Sequence, residues 1–189
     1  MGALVKPFEA EARFFVQEDF KEKLESMGFK VVKEYSFEDT FFCPRGGWRE
    51  EGKTLRIRDW GEYCEVLFSK VRKFKFKDVE FKRSEYPEGK LKLFEGERER
   101  CFKLMKDLEM VECGRVKKEV GYLMSNGKIT VALERIDGKW VLEVEVEGHD
   151  PQEAYRRMRE IMKILGLSNP LSSSTYELFV KSTSTNNPS

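Results

Sequence analysis

The feature that most constrains the fold of this chain is a two-residue alternation of apolar and charged side chains near its beginning, in FEAEARFFV. The apolar positions are Phe8, Ala10, Ala12 and Phe14, and the charged positions between them are Glu9, Glu11 and Arg13. Successive side chains of a β-strand point to opposite faces of a sheet, so the pattern predicts a strand with one core face and one charged face. The charged face either meets bulk water or lines a site that uses its charges.

Three later segments have the periodicity of amphipathic helices: residues 18–29, 97–110 and 151–166. Their predicted core faces are Phe20, Leu24 and Met27 in the first, Phe102, Met105 and Leu108 in the second, and Ala154, Met158, Ile161, Met162 and Leu165 in the third. In the third helix, Asp150 is the expected N-cap and Pro151 the first helical residue. His149, just before them, is expected at the surface rather than in a catalytic role.

The remaining segments read as strands, and the order of elements occurs twice. An offset of 81 residues aligns Phe41 with Tyr122 and gives halves at about 7–86 and 89–167. We therefore expect a single α+β domain over residues 1–180 with much antiparallel sheet, followed by a disordered polar tail at 181–189.

The charges differ between the two halves. A first-half strand, TLRIR, carries Arg56 and Arg58 on one face, whereas LEVEVE in the second half carries Glu143 and Glu145 on one face. If helices cover the apolar side of these strands, the charged side either is an open wet face or lines a closed barrel of about eight strands. Charges in a dry interior are costly, so a charged interior must be wet or hold compensating ions.

Composition narrows the class of protein. The 35 Lys and Arg nearly cancel the 34 Asp and Glu, which argues against nucleic acid or an acidic membrane as a partner. There is no signal peptide and no apolar run near the roughly 18 residues that cross a membrane, so we expect a cytoplasmic protein, monomeric or homodimeric.

The four cysteines lack metal-ligand spacing and are expected as reduced thiols. The stretch Lys70–Arg83 is rich in Lys and Phe; we interpret it as one long strand, with RNA binding as the alternative.

Taken in order, several motifs resemble those of the CYTH family, the triphosphate tunnel metalloenzymes, which includes class IV adenylyl cyclases and thiamine triphosphatases. EAEAR resembles the N-terminal Glu-x-Glu-x-Lys motif, with arginine in place of lysine. LRIR and LFSK resemble phosphate-binding strands, RSE resembles an Arg-x-Glu element, and VALERIDGKWVLEVEVE resembles the late acidic strands. KKEVGY departs from the family pattern, because Glu119 stands where the family often has arginine.

The resemblance implies a closed antiparallel eight-stranded β-barrel, a tunnel built from two strand–helix–strands repeats with helices packed outside. It also implies a small-molecule triphosphate substrate and Mg²⁺ or Mn²⁺. The implied metal ligands are Glu9, Glu11, Glu143 and Glu145, and the implied substrate contacts are Arg13, Arg56, Arg58, Lys70, Arg83, Glu85 and Lys117. Glu134 and Lys70 are the implied catalytic residues. Because phosphoryl transfer depends on positioning and charge neutralisation, the lack of a catalytic histidine is no obstacle.

Hydrolysis of the triphosphate is favoured, since phosphate-binding residues are recognisable and no base-recognition element is. The alternative enzyme is a class IV adenylyl cyclase that makes cyclic AMP and pyrophosphate from ATP. A second alternative is a non-catalytic module that binds polyanions or RNA.

Overall fold

The protein is described by a computed structural model that covers residues 8–77, 79–86, 89–171 and 175–180. Some side chains within these ranges are not described, among them those of Glu9 and Arg83. The predicted tail at 181–189 also lies outside the described residues.

Nine strands and four helices form within the described residues. The strands are β1 (Phe8–Val16), β2 (Lys30–Cys43), β3 (Lys53–Asp59), β4 (Cys64–Phe76), β5 (Val79–Ser84), β6 (Leu91–Gly96), β7 (Val111–Ser125), β8 (Thr130–Ile136) and β9 (Lys139–Gly148). The helices are α1 (Phe20–Ser26), α2 (Arg98–Asp107), α3 (Pro151–Leu165) and α4 (Thr175–Phe179). The order strand, helix, three strands occurs twice, beginning at β1 and at β6.

The chain divides into two compact units. Unit 1 contains Met1–Tyr35, Lys73–Arg83 and Val120–Ser172, and unit 2 contains Ser36–Arg72, Ser84–Glu119 and Ser173–Ser189. Strands β2, β4, β5 and β7 contribute residues to both. Each unit therefore takes strands from both halves of the repeat predicted from the sequence.

In unit 1, antiparallel pairing gives the strand order β8-β9-β1-β5. Ala12 lies opposite Val144, and Ala10, Ala12 and Phe14 of β1 are buried, as the alternation predicts. Helix α3 packs on this face through Ala154, Met158, Met162 and Leu165, while Ile161 is only half-buried. Its N-cap and first residue are those predicted, and His149 is exposed.

In unit 2, antiparallel pairing gives the strand order β2-β3-β4-β6. Leu55 and Ile57 of β3 form a core with Met105 of α2. The prediction that Leu108 belongs to this core face is wrong: α2 ends at Asp107, and Leu108 is 49% exposed.

The prediction of one long strand over Lys70–Arg83 is also wrong. Strand β4 ends at Phe76, and β5 begins at Val79. Lys77 between them has a φ of 55°, a left-handed conformation that is uncommon for a residue other than glycine. A lysine gives no turn signal of the kind that glycine or proline would give, so periodicity alone did not separate the two strands.

The expectation of four reduced cysteines is wrong for two of them. Cys43 of β2 and Cys113 of β7, both in unit 2, form a disulfide with their Cα atoms 6.0 Å apart. Cys64 and Cys101 are free and buried. Seventy residues separate the bonded pair, and sequence spacing over such a distance carries no information about pairing.

The structure confirms an α+β fold with an antiparallel sheet. The closed eight-stranded barrel remains a prediction. Among the described residues, no helix has the length and apolar character needed to cross a membrane.

Candidate functional site

The charged face of unit 1 is built by the register of β1 on β9. Glu9 lies opposite Glu147, Glu11 opposite Glu145, and Arg13 opposite Glu143. Residues directly opposite each other in a pair of strands have side chains on the same face, and the alternate residues here are buried against α3. The described charged side chains, those of Glu11, Arg13, Glu143 and Glu145 among them, therefore lie on the face turned away from α3.

We call this charged face of unit 1, with Glu11, Glu143 and Glu145, the acidic face. Arg13 lies between carboxylates on it. Its guanidinium pairs with Glu11 and, at 3.0 Å, with Glu143. Glu11 and Glu145 remain opposite each other across the two strands, and like charges so placed destabilise a sheet. The register thus brings two predicted metal ligands, Glu11 and Glu145, next to each other, and Arg13 pairs with the first of them.

Glu134 of β8 lies on the same face. Glu134 lies opposite Val141 of β9. Val141 and Glu143 are two residues apart on that strand and share a face, so Glu134 is on the face of Glu143. Glu134 is buried, and its carboxylate accepts a hydrogen bond of 2.5 Å from the hydroxyl of Tyr35. The ring of Tyr35 lies against Gly121, where an added Cβ would come within 2.2 Å of the ring. Glycine at this position therefore lets the tyrosine reach the carboxylate.

The donor set of the acidic face suits a hard divalent cation, because Mg²⁺ and Mn²⁺ prefer carboxylate oxygens. Glu11 and Glu145, in register on neighbouring strands, are two such donors. Among the described side chains, no group of three acidic, histidine or cysteine residues is close enough to hold a metal ion. The side chain of Glu9, predicted as a ligand, lies outside the described residues.

The charged face of unit 2 carries the predicted arginine pair. Arg56 lies opposite Phe41, and Arg58 lies opposite Asp39 of β2. Asp39 is buried, and its two carboxylate oxygens each accept a hydrogen bond of 2.8 Å from Arg58. Arg56 lies 3.5 Å from the same carboxylate. One buried aspartate thus holds both guanidinium groups on the face turned away from the α2 core.

The charge state of Asp39 follows from its neighbours. Burial raises the pKa of its carboxyl group, but the hydrogen bonds from Arg58 and the positive charge of Arg56 outweigh burial and lower the pKa overall. Two arginines against one ionised aspartate leave this group with a net positive charge. Guanidinium forks suit the geometry of phosphate oxygens.

Lys70 does not join the arginines. It lies opposite Lys53 in the pairing of β3 with β4, on the face of Leu55 and Ile57, whereas Arg56 and Arg58 are on the other face. Its ammonium group lies 3.1 Å from Glu50 and 3.4 Å from Glu85. Because successive residues of a strand point to opposite faces, Lys70 and the arginine pair lie on opposite faces of the sheet. The sequence motif alone did not reveal this.

The other predicted substrate contacts are distributed as follows. Glu85 pairs with Lys70 and, at 2.7 Å, with Arg72. Arg83 is in β5, but its side chain lies outside the described residues. Lys117 is exposed, whereas its half-buried neighbour Lys118 lies 5.3 Å above the ring of Phe37. Of the two lysines, Lys118 is the one near the arginine face.

Asp39 and Tyr35 are site residues that sequence reasoning missed. Asp39 is 19 residues from Arg58, and Tyr35 is 99 residues from Glu134. The alternation in YSFEDTFF places both on the face of Phe37 and Phe41, but nothing in it distinguishes them from other polar residues.

Taken together, the fold and these two faces define a class of α+β proteins with separate acidic and arginine-bearing sheet faces, suited to cations and phosphates. The chain belongs to the CYTH domain family, whose model matches residues 7–176. No curated protein matches the chain.

Solved structures with the same fold cover nearly the whole chain. The PH1012 protein from Pyrococcus horikoshii OT3 is 25% identical, with 90% of this chain and 98% of that chain covered and a TM-score of 0.69. A conserved hypothetical protein from Pyrococcus furiosus is 22% identical, with coverage of 90% and 99% and a TM-score of 0.70. HpAC1 from Hippeastrum, described as a candidate adenylyl cyclase with a dominant triphosphatase activity, is 16% identical, with coverage of 94% and 96% and a TM-score of 0.57.

Proposed function

We propose that this protein is a divalent-metal-dependent enzyme that hydrolyses a triphosphate-bearing small molecule. The observation that carries the proposal is that one sheet face carries carboxylates and another carries arginines. Carboxylates lie in register across β1 and β9 in unit 1, and a pair of arginines lies on β3 in unit 2. Each face is turned away from its apolar core. Membership of the CYTH family supports the same reading.

Arg56 and Arg58 would bind phosphate oxygens. Asp39 holds both guanidinium groups before any ligand arrives, so less side-chain freedom is lost on binding. Because the three groups carry a net positive charge, an anionic ligand is favoured at this face. Lys118, close to Phe37, adds to the positive charge.

Glu11 and Glu145 would hold Mg²⁺ or Mn²⁺, with Glu9 and Glu143 as the further ligands implied by the family. A bound divalent cation supplies charge neutralisation for the phosphate oxygens. Arg13, which pairs with Glu11 and Glu143, would orient those carboxylates and contact substrate.

In the proposed reaction, the oxygen of a water molecule attacks the terminal phosphorus, and the bond from that phosphorus to its bridging oxygen breaks. The electron pair of that bond stays on the bridging oxygen of the diphosphate product. Glu134 would accept the proton of the water, with Tyr35 fixing the orientation of its carboxylate. No covalent nucleophile is needed, since positioning and charge stabilisation dominate phosphoryl transfer.

The enclosed tunnel implied by the family is part of this proposal. Its support is that the acidic face and the arginine face each lie opposite a core covered by a helix, α3 in unit 1 and α2 in unit 2.

A second candidate function is that of a class IV adenylyl cyclase, favoured by the description of the Hippeastrum neighbour as a candidate cyclase. In this reaction the ribose 3′-hydroxyl attacks the α-phosphorus and expels pyrophosphate. The same arginine face would bind the phosphates, so the products rather than the site distinguish the two functions.

The test offers inorganic triphosphate, ATP and thiamine triphosphate, each with Mg²⁺ and with Mn²⁺, and separates the products. Orthophosphate supports hydrolysis, whereas cyclic AMP with pyrophosphate supports the cyclase. No product from any combination would leave the binding module as the function.

A variant pair links activity to the acidic face. We expect Glu11→Gln to lower metal-dependent turnover at least about a hundredfold, because it removes one negative charge from the proposed cation ligands. Glu112→Gln is the matched control, since Glu112 is an exposed glutamate paired with Arg115. A folded Glu11→Gln protein with full activity would contradict the metal assignment.

A further inference from the structure

We propose that the hairpin between β3 and β4 is a ring-binding site for a triphosphate that carries a planar aromatic group. Trp60 and Tyr63 form its stacking surface. The inference rests on the function proposed above and adds the substrate class, an organic triphosphate rather than the inorganic one.

The hairpin holds its two aromatic residues in a defined geometry. The backbone N–H of Trp60 donates to the carbonyl of Tyr63 at 3.0 Å, and the N–H of Gly61 donates to the Asp59 carboxylate at 2.8 Å. Gly61 has a φ of 93°, a conformation that glycine adopts without strain. The turn therefore fixes the positions from which both rings project.

Trp60 is on the same face as the arginines. Its indole N–H donates to Glu65 at 2.9 Å, and Glu65 lies opposite Arg58 in the pairing of β3 with β4. Burial raises the pKa of Glu65, but hydrogen bonds from Lys92 and Trp60 lower it overall. Glu65 thus stays an ionised acceptor that orients the indole.

The aromatic group is continuous with the phosphate-binding residues. The guanidinium carbon of Arg58 lies 3.8 Å above the ring of Phe37 and 5.7 Å from the ring of Trp60. Phe37 meets Trp60 edge to face, with ring centroids 5.0 Å apart. A molecule whose phosphates contact Arg58 would therefore have an aromatic surface directly beyond them.

The outer part of this surface is accessible. The ring planes of Trp60 and Tyr63 are inclined by 26°, and the ring centroids are 6.4 Å apart. Tyr63 is 40% exposed. Among the described residues, neither of the two hydrophobic core clusters includes Trp60 or Tyr63. The core of unit 2 lies on the opposite face of β3, with Leu55 and Ile57. The exposed part of Tyr63 can therefore contact a ligand. Rings of nucleobases and similar heterocycles stack on such side chains.

The experiment measures binding, so its outcome does not depend on turnover. Calorimetry gives the affinities of a β,γ-methylene analogue of ATP, of thiamine triphosphate and of inorganic triphosphate, each without metal, for the full chain and for its Trp60→Ala and Tyr63→Ala variants. We expect each variant to bind at least one of the ring-bearing ligands about tenfold more weakly and to bind inorganic triphosphate within twofold of the wild type. Tyr63→Phe, which keeps the ring, should bind all three ligands as the wild type does.

The two ring-bearing ligands separate the sources of the ring. A loss confined to the ATP analogue supports a purine, and a loss confined to thiamine triphosphate supports a thiamine ring. Equal losses for all three ligands would overturn the proposal, because the effect would then concern folding or phosphate binding. Unchanged affinities for both ring-bearing ligands, or no binding of inorganic triphosphate to the wild type, would also overturn it. A protein that binds in this ring-dependent way but forms no product would refute the proposed hydrolysis alone.

Discussion

Asp39 shows how a single buried residue determines the properties of a charged face. Its carboxylate contacts both Arg56 and Arg58, and the side chain of Arg58 is only 11% exposed. Without the aspartate, two neighbouring guanidinium groups would repel each other, one of them largely out of contact with water. Asp39 therefore contributes to stability as well as to the direction of the two forks.

We expect Asp39→Asn to lower the free energy of unfolding near pH 7 by about 3 kcal/mol, because removing one partner leaves a poorly solvated positive charge uncompensated. The folded-state pKa of Asp39 lies below the ordinary aspartate value of about 3.9. Its ionised form therefore stabilises the fold fully above that value, and this contribution is lost as the pH falls through the folded pKa. Urea unfolding of both proteins between pH 7 and pH 3 measures the difference.

The difference in unfolding free energy between the two proteins should be constant from pH 7 to about 5 and should shrink towards pH 3. Asp107→Asn is the control, since Asp107 is an exposed residue paired with Lys103 and should cost no more than about 1 kcal/mol. A difference that stays the same across the whole pH range would show that the charge of Asp39 is not responsible.

Sequence alternation was enough to predict that Arg56 and Arg58 share a face, because a strand has a fixed period of two. It could not predict the partner of either, since partners are set by strand register. The same limit explains Lys70. Its motif resembles a phosphate-binding strand, but the pairing of Lys70 with Lys53 puts it on the core face of β3 and β4.

Helix α3 shows that local signals define an element well when its ends are marked. The Asp150 carboxylate accepts a hydrogen bond of 2.8 Å from the N–H of Glu153, Pro151 is the first helical residue, and Gly166 ends the helix with a φ of 65°. Helix α2 lacks a side-chain cap, and its predicted core face extended one residue too far, to Leu108. Elements bounded by caps were therefore predicted more accurately than those bounded by turns of ordinary residues.

We expect Asp150→Ala to lower the free energy of unfolding by about 1 kcal/mol, because it leaves the N–H of Glu153 without its capping acceptor. Asp150→Ser should keep most of the stability, since serine also accepts this hydrogen bond. Thermal and denaturant unfolding of the three proteins gives the comparison. Equal losses for alanine and serine would mean that the cap does not stabilise α3.

At the scale of the whole molecule, the Cys43–Cys113 bond is the covalent link that sequence reasoning failed to predict. It joins β2 to β7 within unit 2 across 70 residues of chain. Only the folded sheet brings the two cysteines together.

The two free thiols are in a different situation: burial raises the pKa of Cys64 to about 12 and also raises that of Cys101. Since the thiolate is the reactive form, neither should react with a thiol reagent at pH 8 in the folded protein.

The four cysteines therefore allow a test of the fold as a whole. We expect no reactive thiols in the folded protein at pH 8, two after unfolding in denaturant, and four after unfolding with a reductant. The double variant Cys43→Ser, Cys113→Ser should lose about 4 kcal/mol of unfolding free energy, because the bond restricts a loop of this length in the unfolded chain. Cys64→Ala serves as the control, as it removes a buried thiol without touching the bond. Four reactive thiols in denaturant alone would rule out the disulfide, whereas fast reaction of Cys64 in the native protein would contradict its burial in the unit 2 core.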